Sequence, residues 1–141
     1  MTQASVVTSP AASPHFASPF SCTLEEGGPD AAWVRLAGEV DLATAPQLEQ
    51  TLREAQRSAR LIVLDLRELT FMDCRGVHVI LDAARDAREV ARRLVLVRGR
   101  ANVDRVLTAT GVCAHLEIVD LDPGEGLARA LRQLAGSLFP A

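Results

Sequence analysis

The sequence predicts an α/β fold: a mixed, mostly parallel sheet of four to five strands packed with about four helices. Three observations carry that reading. Segments 61–66 and 94–97 are short, nearly unbroken apolar runs, the mark of strands covered on both faces. Stretches with apolar residues at helical spacing lie between and after them, and strands that alternate with helices imply parallel pairing. Ahead of the first helix, segments 20–25 and 33–40 read as two strands separated by Gly27, Gly28, Pro29 and Asp30, which adds an antiparallel edge. At 141 residues the chain is one domain's worth, with room for a single core.

Residues 1–19 are rich in Ser, Ala, Thr and Pro and contain no Asp, Glu, Arg or Lys. They hold too little bulky apolar content to offset the entropy of ordering and read as a disordered tail, with one domain over 20–138. In the 33–40 strand Val34 and Leu36 point inward and Arg35 outward. Thr44 has the place of a helix cap, with Pro46 in the first turn and Leu48, Leu52 and Ala55 as the buried stripe. After the 61–66 strand, a helix runs from about 74 to 90 on Val77, Ile80, Leu81, Ala84 and Ala87. The 94–97 strand follows, then a third helix on Val103, Val106 and Leu107 that ends at Gly111, placed as a C′ glycine. Segment 116–120 is a weaker strand. Asp122 and Glu125 repeat the capping pattern before a last helix carrying Leu127, Leu131 and Leu134.

Composition excludes several function classes. A formal net charge of −3 leaves no basic stripe for nucleic acid. Every cationic side chain among the fifteen is arginine, so a P-loop, a Schiff-base lysine and a phosphorelay receiver are all excluded. Cys22, Cys74 and Cys113 are far apart, as are His15, His78 and His115, so no metal-ligand spacing is present and no cofactor is expected. Isolated, odd-numbered cysteines fit a reducing compartment. No apolar run approaches the roughly 20 residues of a membrane helix, and no basic residue precedes an apolar stretch at the N-terminus. A cytoplasmic protein without membrane insertion is expected. No Ser–His–Asp set or working carboxylate pair is evident, so the chain is not expected to be an enzyme.

The most informative stretch is 71–78, where an apolar strand pattern gives way to an amphipathic helix pattern. Asp73 followed by Gly76 builds a helix N-terminus whose backbone N–H groups suit a phosphate or an acidic partner. Asp73 caps the helix and can serve a partner contact as well. Gly76 lets the turn pack closely or leaves room for an approaching backbone. Arg75 is a cation where the helix dipole disfavours one; it is either a solvated side chain or a contact for an acidic surface. Cys74 is a small packing residue, with redox sensing as the alternative for a thiol at a helix N-terminus. His78 falls on the rim. Glu39, Asp41 and Thr44 end the preceding strand on the side where this helix begins and form a flanking interface.

Gly38, Glu39, Val40 and Asp41 leading to Thr44, Ala45 and Pro46, then 61–66, then Phe71, Met72, Asp73 and Gly76, then 94–97, together resemble the STAS domain of bacterial anti-sigma factor antagonists. The resemblance covers about 20–138 and implies a single STAS-like domain. It implies a protein-binding regulator whose partner is an anti-sigma factor, often a serine kinase with a GHKL-type ATP site, and whose binding frees a sigma factor. In regulated members the turn reads Asp-Ser-Ser-Gly or carries a threonine, and the kinase phosphorylates the second hydroxyl residue. Here that position is Arg75 and the one before it Cys74, while Asp73 and Gly76 keep the pattern. The resemblance therefore implies a binding framework without the phosphoryl switch at its usual place. A different role within the same resemblance is a sensor or scaffold subunit of a larger assembly, stressosome-like or accessory to a transporter.

Overall fold

The computed structural model describes residues 5–8, 20–27, 30–122 and 124–126. Its strands are β1 (Ser5–Thr8), β2 (Ser21–Glu26), β3 (Ala31–Val40), β4 (Leu61–Met72), β5 (Arg93–Val97) and β6 (Glu117–Val119). The helices are α1 (Ala45–Ser58), α2 (Cys74–Glu89) and α3 (Ala101–Ala109), and a 3-10 turn occupies Val112–His115. The six strands form one sheet in their chain order. β1–β2 and β2–β3 pair antiparallel, whereas β3–β4, β4–β5 and β5–β6 pair parallel. The α/β class and the mostly parallel mixed sheet are as the sequence predicts.

Two expectations are corrected. The sheet has six strands, not four to five, because Ser5–Thr8, inside the stretch read as a tail, pairs with β2 from Ser5 opposite Leu24 to Thr8 opposite Ser21. Ser-Val-Val-Thr is half β-branched valine and suits a strand, but four residues in a Ser/Ala/Pro-rich context are too short a run to signal one. β4 is also twice the length of the apolar run that announced it. Beyond Leu66 it buries Leu69 and Met72, with Arg67, Glu68, Thr70 and Phe71 turned away from the core. That spacing of three arises because β4 carries extra residues against β3 at two places, between Arg35 and Ala37 and between Gly38 and Glu39. A bulge interrupts the two-residue alternation on which strand reading depends. The fourth helix expected over Leu127, Leu131 and Leu134 lies outside the described residues.

The crossovers explain where the core sits. Each parallel connection advances one strand in the same direction, and right-handed crossovers then place every intervening helix on the same face. Leu48 and Leu52 from α1, Val77 and Ile80 from α2, and Val103 and Leu107 from α3 accordingly share one cluster with Ile62, Leu64 and Leu96. Gly111 sits at φ 74° just past α3, the left-handed conformation that a C′ position takes and glycine adopts without strain.

Candidate functional site

The turn before α2 forms at the carboxyl end of the parallel strands. Asp73 takes extended backbone angles and its Oδ1 accepts from the N–H of Arg75 at 2.9 Å, so it is the N-cap of α2. Such a cap stabilises by about 1 kcal/mol. The Asp73 N–H in turn donates to the Val40 carbonyl at 3.1 Å, which ties the start of α2 to the end of β3. Gly76 is buried, and a Cβ there would stand 2.6 Å from Met72 Cγ and 2.9 Å from Val40 Cγ1. Met72 and Val40 are themselves enclosed in the core, so the close approach of α2 to both strand ends requires glycine.

Cys74 and Arg75 are exposed on the first turn. Arg75 makes no ion pair and no side-chain hydrogen bond among the described residues. It lines a shallow depression of about 260 Å³ with Leu42 in the preceding loop, Pro46 and Glu49 at the start of α1, and His78 and Val79 on α2. A cation in this turn costs a few tenths to about 1 kcal/mol when exposed, which offsets much of the cap. Helix stability therefore does not account for Arg75.

The flanking residues divide. His78 is exposed and lines the same depression as Arg75. Glu39, Asp41 and Thr44 instead organise the β3–α1 loop. Asp41 Oδ1 accepts from the N–H groups of Ala43 and Thr44 at 2.9 and 3.2 Å. The Thr44 hydroxyl donates to the Glu39 carbonyl at 2.9 Å and accepts from the Asp41 N–H at 2.9 Å. Thr44 holds the N-cap position of α1 but its side chain makes no capping bond, a correction to the expected cap. Its backbone is already helical, at φ −104° and ψ −15°, and the hydroxyl is spent on the preceding turn.

Two residues at this end were missed by sequence reasoning. Among the described residues Leu42, Phe71 and Val90 are the exposed large apolar side chains, and Leu42 (64%) and Phe71 (44%) both lie beside the turn. Phe71 pairs in register with Glu39, two residues before the cap. The signal for Leu42 was present: a leucine in a loop flanked by Asp41 and Ala43, off every apolar stripe. This end thus presents exposed apolar side chains and a cation unpaired among the described residues, a combination suited to protein contact. No cluster of His, Cys, Asp or Glu able to hold a metal occurs among the described residues. No described helix is long and apolar enough to cross a membrane.

The STAS domain model matches residues 25–123. The anti-sigma-B factor antagonist of Listeria monocytogenes is 28% identical over 103 residues, covering 72% of this chain and 90% of that protein. The anti-sigma F factor antagonist of Paenibacillus polymyxa is 32% identical over 89 residues, covering 62% of this chain and 76% of that protein. The structure of the anti-sigma factor antagonist SpoIIAA in its unphosphorylated form superposes with a TM-score of 0.69 at 24% identity, over 82% of this chain and 96% of that one.

Proposed function

The chain belongs to the STAS domain family of anti-sigma factor antagonists, and from that premise we propose that it binds an anti-sigma factor, a GHKL-type serine kinase, through the turn at 73–76. Sequestering that kinase would free its sigma factor. The observation that supports the reading is the exposed Arg75, which makes no ion pair among the described residues and borders one depression with the exposed Leu42. Apolar area supplies affinity, and a cation that no described carboxylate pairs with selects an acidic partner surface.

Arg75 stands where regulated members carry the phosphoacceptor. A phosphoryl group there would bring about −1.5 to −2 charges. Arginine has the opposite sign and no hydroxyl, so the chain acts as an antagonist that phosphorylation at this position does not release. Cys74 and His78 border the same surface, while Glu39, Asp41 and Thr44 hold the adjoining loop in shape.

The test is affinity for the cognate kinase with and without ATP. Binding is expected to be equal in both, and Arg75→Glu is expected to weaken it at least tenfold. ATP-dependent release with phosphate on the peptide containing 75–77 would overturn the reading. So would unchanged affinity after the charge reversal.

A further inference from the structure

Helices α1 and α2 follow successive parallel strands, so they lie on one face of the sheet and run in the same direction with a furrow between them. Three hollows open along that furrow and share lining residues. The first is the depression beside Arg75. The second, about 30 Å³, shares Glu49 and Val79 with it. The third, about 330 Å³, shares Arg53 and Gln56 with the second and reaches Val90 and Arg92. The hollows are therefore one groove with a waist. The waist is narrow because Gln56 Nε2 donates across it to the Ala83 carbonyl at 2.9 Å.

Charge along the groove is ordered. Arg75 stands at one end, Arg57 and Arg92 at the other, and Asp82 and Asp86 line the waist. Asp82 is paired with Arg85 at 3.4 Å and Arg53 with Glu49 at 3.6 Å. Arg57 and Asp86 are exposed and, like Arg75, make no ion pair among the described residues. Arg75 in the first turn of α2 and Asp86 in its last turn each carry the charge that the macrodipole disfavours there. Val90, 60% exposed, gives the far end the apolar contact that Leu42 gives the near one.

We propose that the partner bound at the 73–76 turn continues down this groove as an amphipathic helix. That helix is acidic where it meets Arg75 and again where it meets Arg57, with a basic residue beside Asp86 and a small one over the waist. The inference rests on the docking role of the turn and adds the far half of the interface. Charge complementarity selects the occupant. Two copies of this chain set groove to groove would bring Arg75 against Arg75 or against Arg57, like on like in either orientation, which opposes association. A furrow between two helices accepts the side-chain ridge of a third. From Pro46 to Arg57 it runs ~16 Å, about three helical turns.

The test places a photo-cross-linking residue at position 75 or position 57 of the full chain and maps the peptides captured from the anti-sigma factor used in the ATP test. Both positions are expected to capture one stretch of that partner, at points ~11 residues apart, the rise of a helix over ~16 Å. Points only ~5 residues apart would mean an extended segment and overturn the helix. Capture from position 75 alone, or capture of a second copy of this chain from position 57, overturns the groove. Arg57→Glu is expected to weaken binding at least tenfold. Arg105→Glu, the same reversal on the exposed side of α3, is expected to leave it within about twofold. Equal weakening by the two variants overturns the inference, because overall charge would then be the cause. If Arg75→Glu weakens binding and Arg57→Glu does not, the groove fails and the docking role of the turn stands; if neither does, both fail.

Discussion

The tripeptide Asp-x-Arg occurs twice within eleven residues, at Asp65, Leu66, Arg67 and again at Asp73, Cys74, Arg75. The backbone does the same thing in both: Asp65 Oδ1 accepts from the N–H of Arg67 at 3.0 Å, as Asp73 Oδ1 does from Arg75 at 2.9 Å. The guanidinium groups part company. Arg67 folds back onto Asp65 with Nε 3.0 Å and Nη2 2.8 Å from its two oxygens. Trp33 Nε1 donates to the same carboxylate at 3.2 Å, and the side chains of Asp65 and Arg67 are 7% and 19% exposed. The hydrogen bond to Asp65 raises the Arg67 pKa above its ordinary value. Arg75 turns outward with nothing described to meet it. A buried pair of this kind is an internal fastening; an exposed cation at the positive end of a helix adds nothing to that helix, and under the proposed function it is the contact for an acidic partner.

That contrast can be broken by experiment. The largest effect is expected from Arg67→Ala, which leaves the Asp65 carboxylate buried with only Trp33 and a backbone N–H. Urea unfolding should register a loss of about 3 kcal/mol. Asp73→Ala removes a cap and should cost about 1 kcal/mol by the same measurement. Arg75→Ala should change stability by less than about 0.5 kcal/mol. If Arg75→Ala instead costs as much as Arg67→Ala, the two arginines have the same role and the proposed docking surface loses its central residue.

Much of the fold was legible because its signals are local. The N-cap at Asp73, the left-handed Gly111 and the stripe of α2 depend on residues within a turn or two of each other. The close packing at Gly76 was legible too, as a glycine in a first helical turn. What escaped depends on distant partners or on broken periodicity. Arg67 reaches carbonyls 55 and 58 residues away, which no local pattern encodes. The extension of β4 was hidden by its spacing of three, and β1 by its brevity. Thr44 carries a capping sequence, but a cap must accept from the first helical turn, and its oxygen accepts instead from the Asp41 N–H while its proton goes to the Glu39 carbonyl. Of the candidate site, the turn itself could be read and the loop position of Leu42 carried a signal; the exposure of Phe71 could not be read, because the outward face of a bulged strand has no sequence mark.

The bulges in β4 have a geometric effect on that surface. From the Ala31–Leu61 pair to the Val40–Met72 pair, β3 uses ten residues and β4 uses twelve. At about 3.3 Å per residue, two surplus residues in a straight strand would push the 73–76 turn some 7 Å beyond its neighbour. Absorbed as kinks, they leave both loops flush, so that Leu42 and Arg75 border one hollow. The platform on which a partner would settle is levelled within the sheet, before either loop begins.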